Sequence, residues 1–361
     1  MIRLLHAADL HMDSPFRGLS EEQAALRRRE QRDLLYRLCE IAEREGAELL
    51  LLAGDLFDST VPYAETAQTL FSALGSLSIP VLIAPGNHDH YSLRSPYARF
   101  ALPDNVTVFT RAALSCRDLP SLGVRIWGAG YESTSCPPLL RGFSLPREDE
   151  LLNILLLHGE LTASESPYCP VTERELAESG FDYVALGHTH RASGLCYAGK
   201  TPYAWPGCAE GRGFDETGEK GVYLIELERG ACGARFIPLG GRRYEILRLD
   251  DREELARTLL RSLPVGAERD VTRIVLTGES CGTSLSELRG ALEGHFFALE
   301  LRDERTLPIE LWEHMHDAGL RGTFLRKLRE RYDRAENESE RARIELAARA
   351  GLAAMEGREE P

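Results

Sequence analysis

The stretch Ile2-Arg-Leu-Leu-His-Ala-Ala-Asp-Leu-His11 opens the chain with an apolar run that ends in an aspartate and a histidine. The apolar residues from Ile2 to Ala8 predict a buried strand. Side chains two positions apart on an extended segment point to the same side, so Asp9 and His11 can face one ligand. A buried, hydrogen-bonded polar pair is the ordinary alternative. This motif alone therefore does not decide the function.

Four more short polar motifs each follow an apolar run that predicts a strand. They are Gly54-Asp-Leu-Phe-Asp58, Gly86-Asn-His-Asp89, His158-Gly159 and Gly187-His-Thr-His190. Gly-Asp alone is typical of a turn or a helix cap, and His-Gly alone says little. Loops at the carboxyl ends of strands in an open α/β sheet line one crevice. We therefore predict that the five motifs converge on one site.

Short apolar runs alternate with longer amphipathic ones over the first 190 residues, which is typical of an α/β domain. Glu21 to Glu45 predicts a surface helix with Ser20 as its N-cap, and Tyr63 to Leu77 predicts a second helix. The capping-box spacing from Thr172 to Glu175 predicts a third. Further strands are predicted over residues 49–53, 80–84, 106–109, 124–127, 153–157 and 183–186.

The chain has 361 residues, enough for two domains at about 150 residues each. Gly221 to Glu228 and Ala234 to Pro238 predict an antiparallel pair around a turn at residues 229–233. The Gly240-Gly241 pair is the predicted boundary. We predict a first domain over 1–241, a small α+β module over 242–306, and a charge-rich helical region over 307–361 whose apolar stripe follows Pro308.

Composition excludes several classes of protein. Apolar residues make up 43% and charged residues 28%, which predicts a globular fold. No apolar run approaches the roughly 18 residues of a membrane span, and the first residues do not resemble a signal peptide, so we expect a cytoplasmic protein. The eight cysteines form no CxxC motif and are expected to be reduced core residues. The net charge of −14 suits carboxylates gathered around cations better than an overall basic surface.

The donors in the motifs are carboxylates, imidazoles and an amide oxygen, with no thiolate. This mixture favours Mn²⁺, with Fe²⁺ or Mg²⁺ as alternatives, over a structural zinc site. The donors outnumber what one ion with open positions needs, which favours two ions roughly 3.5–4 Å apart. Such a pair activates a water and stabilises an in-line displacement at phosphorus. The sequence therefore predicts phosphoester hydrolysis.

The five motifs, in this order, resemble the calcineurin-like metallophosphoesterases. The opening His6-Ala-Ala-Asp-Leu-His-Met-Asp-Ser-Pro-Phe-Arg17, with Pro206-Gly207 and Gly211-Arg-Gly-Phe-Asp-Glu-Thr-Gly-Glu-Lys-Gly221, is similar to the SbcD-type DNA repair exonucleases and their YhaO-like subgroup. The resemblance implies a four-layer fold of two packed β-sheets flanked by helices. It also implies a nuclease domain over 1–241, a capping domain over 242–306, and a tail over 307–361 that docks on an SbcC-type coiled-coil ATPase.

The resemblance also implies the metal ligands. They are Asp9, His11, Asp55, Asn87, His158, His188 and His190. Asp55 would bridge the two ions. The second ion would have Asn87, His158 and His188, and the other ligands would hold the first.

The same resemblance implies two catalytic residues. His88 would contact the scissile phosphate, and Asp89 would orient it. Asp58 departs from archaeal relatives, which carry histidine there, and a helix N-cap is its expected role. His90 is expected in a solvated loop, with substrate contact as the alternative, and His6 is expected to be a buried, hydrogen-bonded side chain.

We expect DNA as the substrate, cleaved from ends and also within single strands, with sequence-independent phosphate contacts. A phosphatase or phosphodiesterase for nucleotides or phosphoproteins is one alternative, and a metal-free protein-binding scaffold of the same fold is another. The module after residue 240 favours DNA, because a small substrate would not need it. The arginine-rich run from Arg27 to Arg32 is expected to be a solvated helix face. The resemblance also allows a homodimer.

Overall fold

The apolar runs of the first 240 residues form two six-stranded sheets in the computed structural model, which describes residues 1–145, 150–281, 283–305, 312 and 314–355. Both sheets belong to the first of two units, Met1–Arg243, and the second unit is Tyr244–Pro361. In the described part of the chain, no helix combines the length and apolar character that a membrane span needs.

The first sheet is built around parallel strands that carry three of the polar motifs. Its strands are β1 (Ile2–Ala7), β2 (Leu49–Leu52), β3 (Val81–Ile83), β4 (Val106–Val108), β11 (Gly221–Glu228) and β12 (Ala231–Pro238). Their order is β12-β11-β1-β2-β3-β4, and β11 runs antiparallel to β1. The hairpin turn of β11 and β12 is shorter than predicted, because the residues before Ala234 extend the second strand and pair as far as Glu228 with Ala231.

The second sheet carries the other two motifs. Its strands are β5 (Ser115–Leu119), β6 (Val124–Gly128), β7 (Leu152–His158), β8 (Tyr183–Gly187), β9 (Cys196–Ala198) and β10 (Thr201–Ala204), in the order β5-β6-β7-β8-β10-β9. The sequence did not predict β5, β9 or β10. Ser115–Leu119 is a mostly exposed edge strand without an apolar alternation, so its sequence resembles a loop.

Alternate side chains of the strands pack on opposite sides of each sheet, which produces four layers. Leu4 and Leu51 of the first sheet share a core with Ile126 and Ile154 of the second sheet. Leu5 and its neighbours on the other face pack with helix residues in a second core. A third core covers the outer face of the second sheet. The predicted arrangement of two packed sheets flanked by helices is confirmed.

The structure describes four α-helices in this unit, of which the first and the last begin at their predicted caps. They are α1 (Glu21–Arg44), α2 (Ala64–Gly75), α3 (Pro96–Arg99) and α4 (Glu173–Ser179). Ser20 and Gln23 form a capping box at α1, as do Thr172 and Glu175 at α4. The prediction that the run from Arg27 to Arg32 is solvated is wrong at Arg27 and at Gln31, which are both buried. The Arg27 side chain pairs with Glu210, and this pair ties α1 to the loop after β10.

The second unit contains a small parallel sheet and two longer helices. Its elements are β13 (Tyr244–Asp250), α5 (Leu255–Ser262), β14 (Val271–Thr277), α6 (Leu285–Leu292), β15 (Ala298–Asp303), α7 (Leu320–Arg334) and α8 (Glu338–Met355). Each neighbouring strand pair is parallel. Leu255, Ile274 and Leu288 share its core. The predicted start of the tail at residue 307, with Pro308 and Leu311, lies outside the described residues.

Candidate metal centre

The five motifs lie where parallel strands end. Asp9, Asp55 and Asn87 follow β1, β2 and β3, while His158 ends β7 and Gly187 ends β8. Because β1, β2 and β3 are parallel neighbours, as are β7 and β8, their carboxyl ends bring these loops to one edge. Backbone bonds from Asp9 N to Gly54 O (3.0 Å) and from His11 N to Asp55 O (2.9 Å) join the first two loops.

The backbone of several candidate ligands has the left-handed conformation that non-glycine residues rarely adopt. The φ angles are 52° at Asp9, 44° at His11, 50° at Asp55 and 93° at His188. The expectation that Asp9 and His11 lie on an extended segment is therefore wrong. Such conformations cost about 1–3 kcal/mol each and persist where the surrounding structure enforces them.

Asp9, His11 and His190 form the first group of ligand atoms, which we call the first cluster. His11 Nε2 lies 3.1 Å from His190 Nε2, and both face Asp9 Oδ1, at 4.0 and 3.8 Å. A metal–ligand bond is about 2.1 Å long, so two ligands of one ion lie within about 4.2 Å of each other. These three distances all meet that limit.

Asp9, Asp55 and His158 form another group of ligand atoms, and Asn87 adjoins it. We call Asp55, His158 and Asn87 the second cluster, and Asp9 is shared with the first. His158 Nε2 lies 3.3 Å from Asp55 Oδ2 and 3.1 Å from Asn87 Oδ1. The same Asp55 Oδ2 lies 3.7 Å from His11 Nε2, so this oxygen faces both clusters. Asp55 thus occupies the position that a bridging carboxylate requires.

His188 lies beside the second cluster. Its backbone N–H donates to the Asp9 carboxylate at 3.1 Å, and its ring packs edge-on against His158 at 5.2 Å between centroids. Tyr168 packs against the same ring at 4.8 Å. All seven predicted ligands are therefore gathered at this edge of the sheets.

Two motif glycines allow the loops to approach these ligands. A Cβ atom at Gly86 would lie 2.2 Å from Asp55 Oδ1, and one at Gly54 would lie 2.4 Å from His158 Nδ1. Any side chain at either position would displace a candidate ligand. The glycines of the motifs are thus needed for close packing around the centre.

The outer nitrogens of three imidazoles have hydrogen-bond partners that turn their Nε2 atoms inward. His158 Nδ1 contacts the carbonyl oxygen of Ala53 at 2.9 Å. His11 Nδ1 contacts Asp58 Oδ1 at 3.2 Å, and His190 Nδ1 contacts Glu216 Oε1 at 2.6 Å. Metal-binding histidines commonly have such a partner, which fixes the tautomer and the ring orientation.

Sequence reasoning missed Glu216 and Arg212, which follow β10. Arg212 donates to Asp58 Oδ1 at 3.1 Å and to Glu216 Oε1 at 2.8 Å, so it connects the carboxylates behind His11 and His190. The segment from Gly211 carries no donor motif that follows an apolar run. Arg212 and Glu216 are opposite charges four residues apart in this segment, and this spacing was the sequence signal for their pairing.

The charges of the centre are those that a cation would stabilise. Burial raises the pKa of Asp9 to about 7 against the opposing charge of His158, because the carboxylate lies with Asp55 inside the protein. Burial lowers the pKa of His11 and of His188 to about 4, so both rings are neutral, as ligands must be. Against the effect of burial, the charge of Asp55 raises the pKa of His158 to about 9, so without a cation this ring carries the positive charge that faces the carboxylates. A divalent ion would take over that role, and this donor set contains no thiolate.

His88 is placed at the rim of the first cluster. Its backbone N–H donates to Asp55 Oδ1 at 2.9 Å, and its ring packs edge-on against His11 at 4.9 Å. The side chain is 44% exposed, which leaves it accessible to a substrate. His90 is half-buried and contacts Asn87 O at 3.3 Å.

Two expected side-chain roles are wrong. The Asp89 carboxylate does not bond to His88 but accepts from Gly86 N at 2.7 Å, Leu56 N at 2.8 Å and the Tyr97 hydroxyl, because it is buried while its neighbour points outward. Asp58 does not cap α2.

Tyr63 occupies the N-cap position of α2, with no side-chain cap, while Asp58 contacts His11 and Arg212. His6 is buried and bonded to the Tyr183 hydroxyl at 2.9 Å, as expected.

The family model for calcineurin-like phosphoesterases matches residues 2–192, which contain all five motifs. The chain belongs to the calcineurin-like phosphoesterase family. It is therefore a metallophosphoesterase, and this family uses a dinuclear metal centre, for which the two clusters supply candidate ligands.

Two similar relatives come from Bacillus subtilis and Saccharolobus solfataricus. The uncharacterized metallophosphoesterase YhaO of B. subtilis is 35% identical over 246 residues, covering 65% of this chain and 60% of that protein. The DNA double-strand break repair protein Mre11 of S. solfataricus is 28% identical over 251 residues, covering 63% and 61%. The chain thus spans about three fifths of the length of these relatives.

Among solved structures, a dimetal phosphatase from Danio rerio is similar to this chain with a TM-score of 0.43 and 15% identity. The match covers 66% of this chain and 96% of that one.

Proposed function

We propose that this protein is a two-metal-ion phosphodiesterase that hydrolyses DNA, from ends as an exonuclease and also within single strands. The observation that carries the proposal is the gathering of two ligand clusters that share Asp9, with Asp55 Oδ2 facing both His11 and His158, beside a half-exposed His88. DNA as the substrate is supported by similarity to relatives named DNA double-strand break repair proteins, from S. solfataricus and from Aeropyrum pernix.

The proposed ligands divide between the two clusters. Asp9, His11 and His190 would hold one ion, and Asn87, His158 and His188 would hold the other, with Asp55 shared. When bound, the ions supply positive charge that activates a water and neutralises the phosphate oxygens. Oxygen and imidazole donors without thiolate favour Mn²⁺, with Mg²⁺ or Fe²⁺ as alternatives.

The protein's own part in the reaction centres on His88. Its backbone N–H holds Asp55, while its exposed ring contacts the scissile phosphate and gives a proton to the leaving oxygen. Asp89 is a positioning residue, because it ties the loop at Gly86 to the loop at Leu56. The geometry of the reacting groups thus depends on backbone contacts as well as on ligands.

Cleavage assays decide between DNA and a small substrate. End-labelled duplex and single-stranded DNA and a nucleotide phosphodiester are each incubated with the full chain in Mn²⁺ and in Mg²⁺. We expect Mn²⁺-dependent shortening of linear DNA and cuts within single strands. Hydrolysis of the nucleotide phosphodiester alone would overturn the DNA proposal and leave a nucleotide phosphodiesterase.

Metal analysis tests the scaffold alternative. The purified chain is loaded with Mn²⁺, desalted and analysed by inductively coupled plasma mass spectrometry, with a chelator-treated sample as the control. A catalytic protein holds close to two ions per chain, whereas a metal-free scaffold retains almost none.

The DNA-repair pathway, the cytoplasmic location, the homodimer and the ATPase partner stay predictions. For the partner, we propose that the region 307–361 docks on the coiled-coil ATPase. Copurification of the two proteins tests this proposal. Retention of the complex after removal of 307–361 would exclude the region as the docking site.

A further inference from the structure

Arg27 lies on α1, outside both clusters, and its side chain contacts two separate segments of the chain. Its Nη1 donates to Glu210 Oε1, and its Nη2 donates to the carbonyl oxygen of Gly211 at 3.1 Å. Its guanidinium also lies over the Phe16 ring, 4.8 Å from the ring centroid. Arg27 is fully buried and Glu210 is 1% exposed. A charge pair shielded from water depends on its hydrogen bonds, so Arg27 fixes where the two segments lie.

The first of these segments, residues 9–16, carries two ligands of the first cluster. Four of its residues have φ angles between 44° and 68°: Asp9, His11, Asp13 and Phe16. Residues with side chains keep such angles where the surrounding structure enforces them. Helix α1 supplies part of that support, because Gln31 Nε2 donates to His11 O at 3.2 Å and Arg27 covers Phe16.

The second segment, residues 208–212, contacts the other ligands of the first cluster. Cys208 N donates to His190 O at 3.2 Å, and Ala209 N donates to Asp9 O at 3.4 Å. The next two residues are the partners of the buried guanidinium. Arg212 then joins the carboxylates that face the rings of the first cluster. This segment therefore connects α1 to the first cluster through both backbone and side chains.

We propose that Arg27 is a positioning residue for the first ion site, acting through the segments 9–16 and 208–212. The inference rests on the proposed two-ion function, because it concerns the ion that Asp9, His11 and His190 would hold. The second cluster has other supports, since His158 contacts the carbonyl oxygen of Ala53 and Tyr168 packs on the neighbouring His188 ring. Loss of Arg27 should therefore weaken the first site and spare the second.

The charges around Arg27 are balanced in pairs. Arg27 Nη1 also donates to Glu30 Oε2 at 3.1 Å, and Glu30 accepts from Arg242 Nε at 2.8 Å and from Arg242 Nη2 at 2.6 Å. Removing Arg27 and Glu210 together leaves the pair of Glu30 and Arg242 intact. Removing Arg27 alone leaves the buried Glu210 carboxylate without its cation, which is strongly destabilising.

The main test variant is therefore the double change Arg27→Met with Glu210→Gln. It removes both charges of the buried pair and keeps side chains of similar size, a replacement that proteins commonly tolerate. Arg37→Met is the matched control. Arg37 lies on the same helix but donates to the carbonyl oxygens of Leu239 and Gly240, at 3.4 and 3.0 Å.

Metal titration measures the effect on each site. The full chain and both variants are freed of metal and titrated with Mn²⁺ by isothermal titration calorimetry. The double variant should bind one ion about 10-fold more weakly, the lower end of the effect of losing a partner of a ligand, and the other ion normally. Arg37→Met should bind both ions normally. When the double change is added to Glu216→Gln, it should act on the site that Glu216→Gln itself weakens.

The outcomes separate this inference from the proposed function. An unmodified chain that binds fewer than two ions would overturn the two-ion function and this inference with it. Two normal ions in the double variant, or equal weakening of both, would overturn the inference alone.

Hydrogen exchange of the metal-free chain gives a second measurement. Arg212 N donates to Glu216 Oε2 at 2.8 Å, and Glu216 N donates to Gly213 O at 3.0 Å. In the double variant, the amides of residues 208–216 should exchange about 10-fold faster, because local opening needs less free energy, while those of β7 should exchange as before. Unchanged exchange over 208–216, or equal acceleration in β7, would contradict a positioning role.

Discussion

The two ligand clusters are held in different ways. Behind the first cluster, the carboxylates of Asp58 and Glu216 face the histidine rings, and Arg212 joins them. Behind the second cluster, a backbone carbonyl contacts His158 and an aromatic ring packs on His188. The groups behind the first cluster are therefore charged, whereas those behind the second are a backbone carbonyl and an aromatic ring. Removing a charge should therefore weaken metal binding at the first cluster, and removing an aromatic ring should weaken it at the second.

Asp55→Asn should have the largest effect, because this carboxylate faces both clusters. Replacing the shared charge should remove at least one ion and lower activity by about 10³-fold, which corresponds to several kcal/mol of lost charge stabilisation. Metal content and Mn²⁺-dependent cleavage are measured together. A variant with two ions and undiminished activity would show that Asp55 does not join the sites.

His88→Ala should lower cleavage by about 10²-fold or more without changing metal content, because the side chain lies at the rim and its proposed role is to donate a proton rather than to bind an ion. Mass spectrometry measures the metal content, and single-turnover cleavage measures the rate. Loss of metal from this variant would assign His88 to the first cluster instead.

Glu216→Gln should weaken the first site alone. The amide keeps the shape of the side chain but removes the charge that faces His190 and Arg212, which should reduce metal affinity about 10- to 100-fold. Titration with Mn²⁺ should show one weakened site and one unchanged site. Glu219→Gln, an exposed change in the same loop, is the matched control and should bind both ions normally.

Tyr168→Ala should have the smallest effect and should act on the second site. Loss of its ring from His188 removes a contact worth about 0.5–1.5 kcal/mol, equivalent to roughly 3- to 10-fold in affinity. Comparison with Glu216→Gln in the same titration shows whether the weakened sites differ. Identical titration curves for the two variants would contradict the expectation that Glu216 acts on the first site and Tyr168 on the second.

The first-unit fold could be predicted wherever an apolar run forms a central strand, as at Leu49–Leu52 and Leu152–His158. Edge strands such as Ser115–Leu119 could not, because exposed side chains leave no periodic pattern. The convergence of the five motifs could be predicted because each motif follows a strand that the apolar pattern reveals, whereas the ligand set followed from the resemblance to a family.

The supporting contacts of the site could not be predicted. Glu216 and His190 are joined only by tertiary folding, and Asp89 acts through backbone amides that any sequence contains. Arg27 looks like its solvated neighbours in sequence, although in the fold it meets Glu210 inside the protein. These roles depend on partners that are distant along the chain.

Asp89 accepts hydrogen bonds from two backbone amides, and Asp9 N donates to Gly54 O. These bonds connect the ends of three strands through backbone groups. A site held by these backbone bonds should keep its shape without a cation. The rate of metal binding should therefore be set by diffusion and by loss of water from the ion, and not by a conformational change of the protein. After chelation, amide hydrogens at this edge should stay as slow to exchange as before.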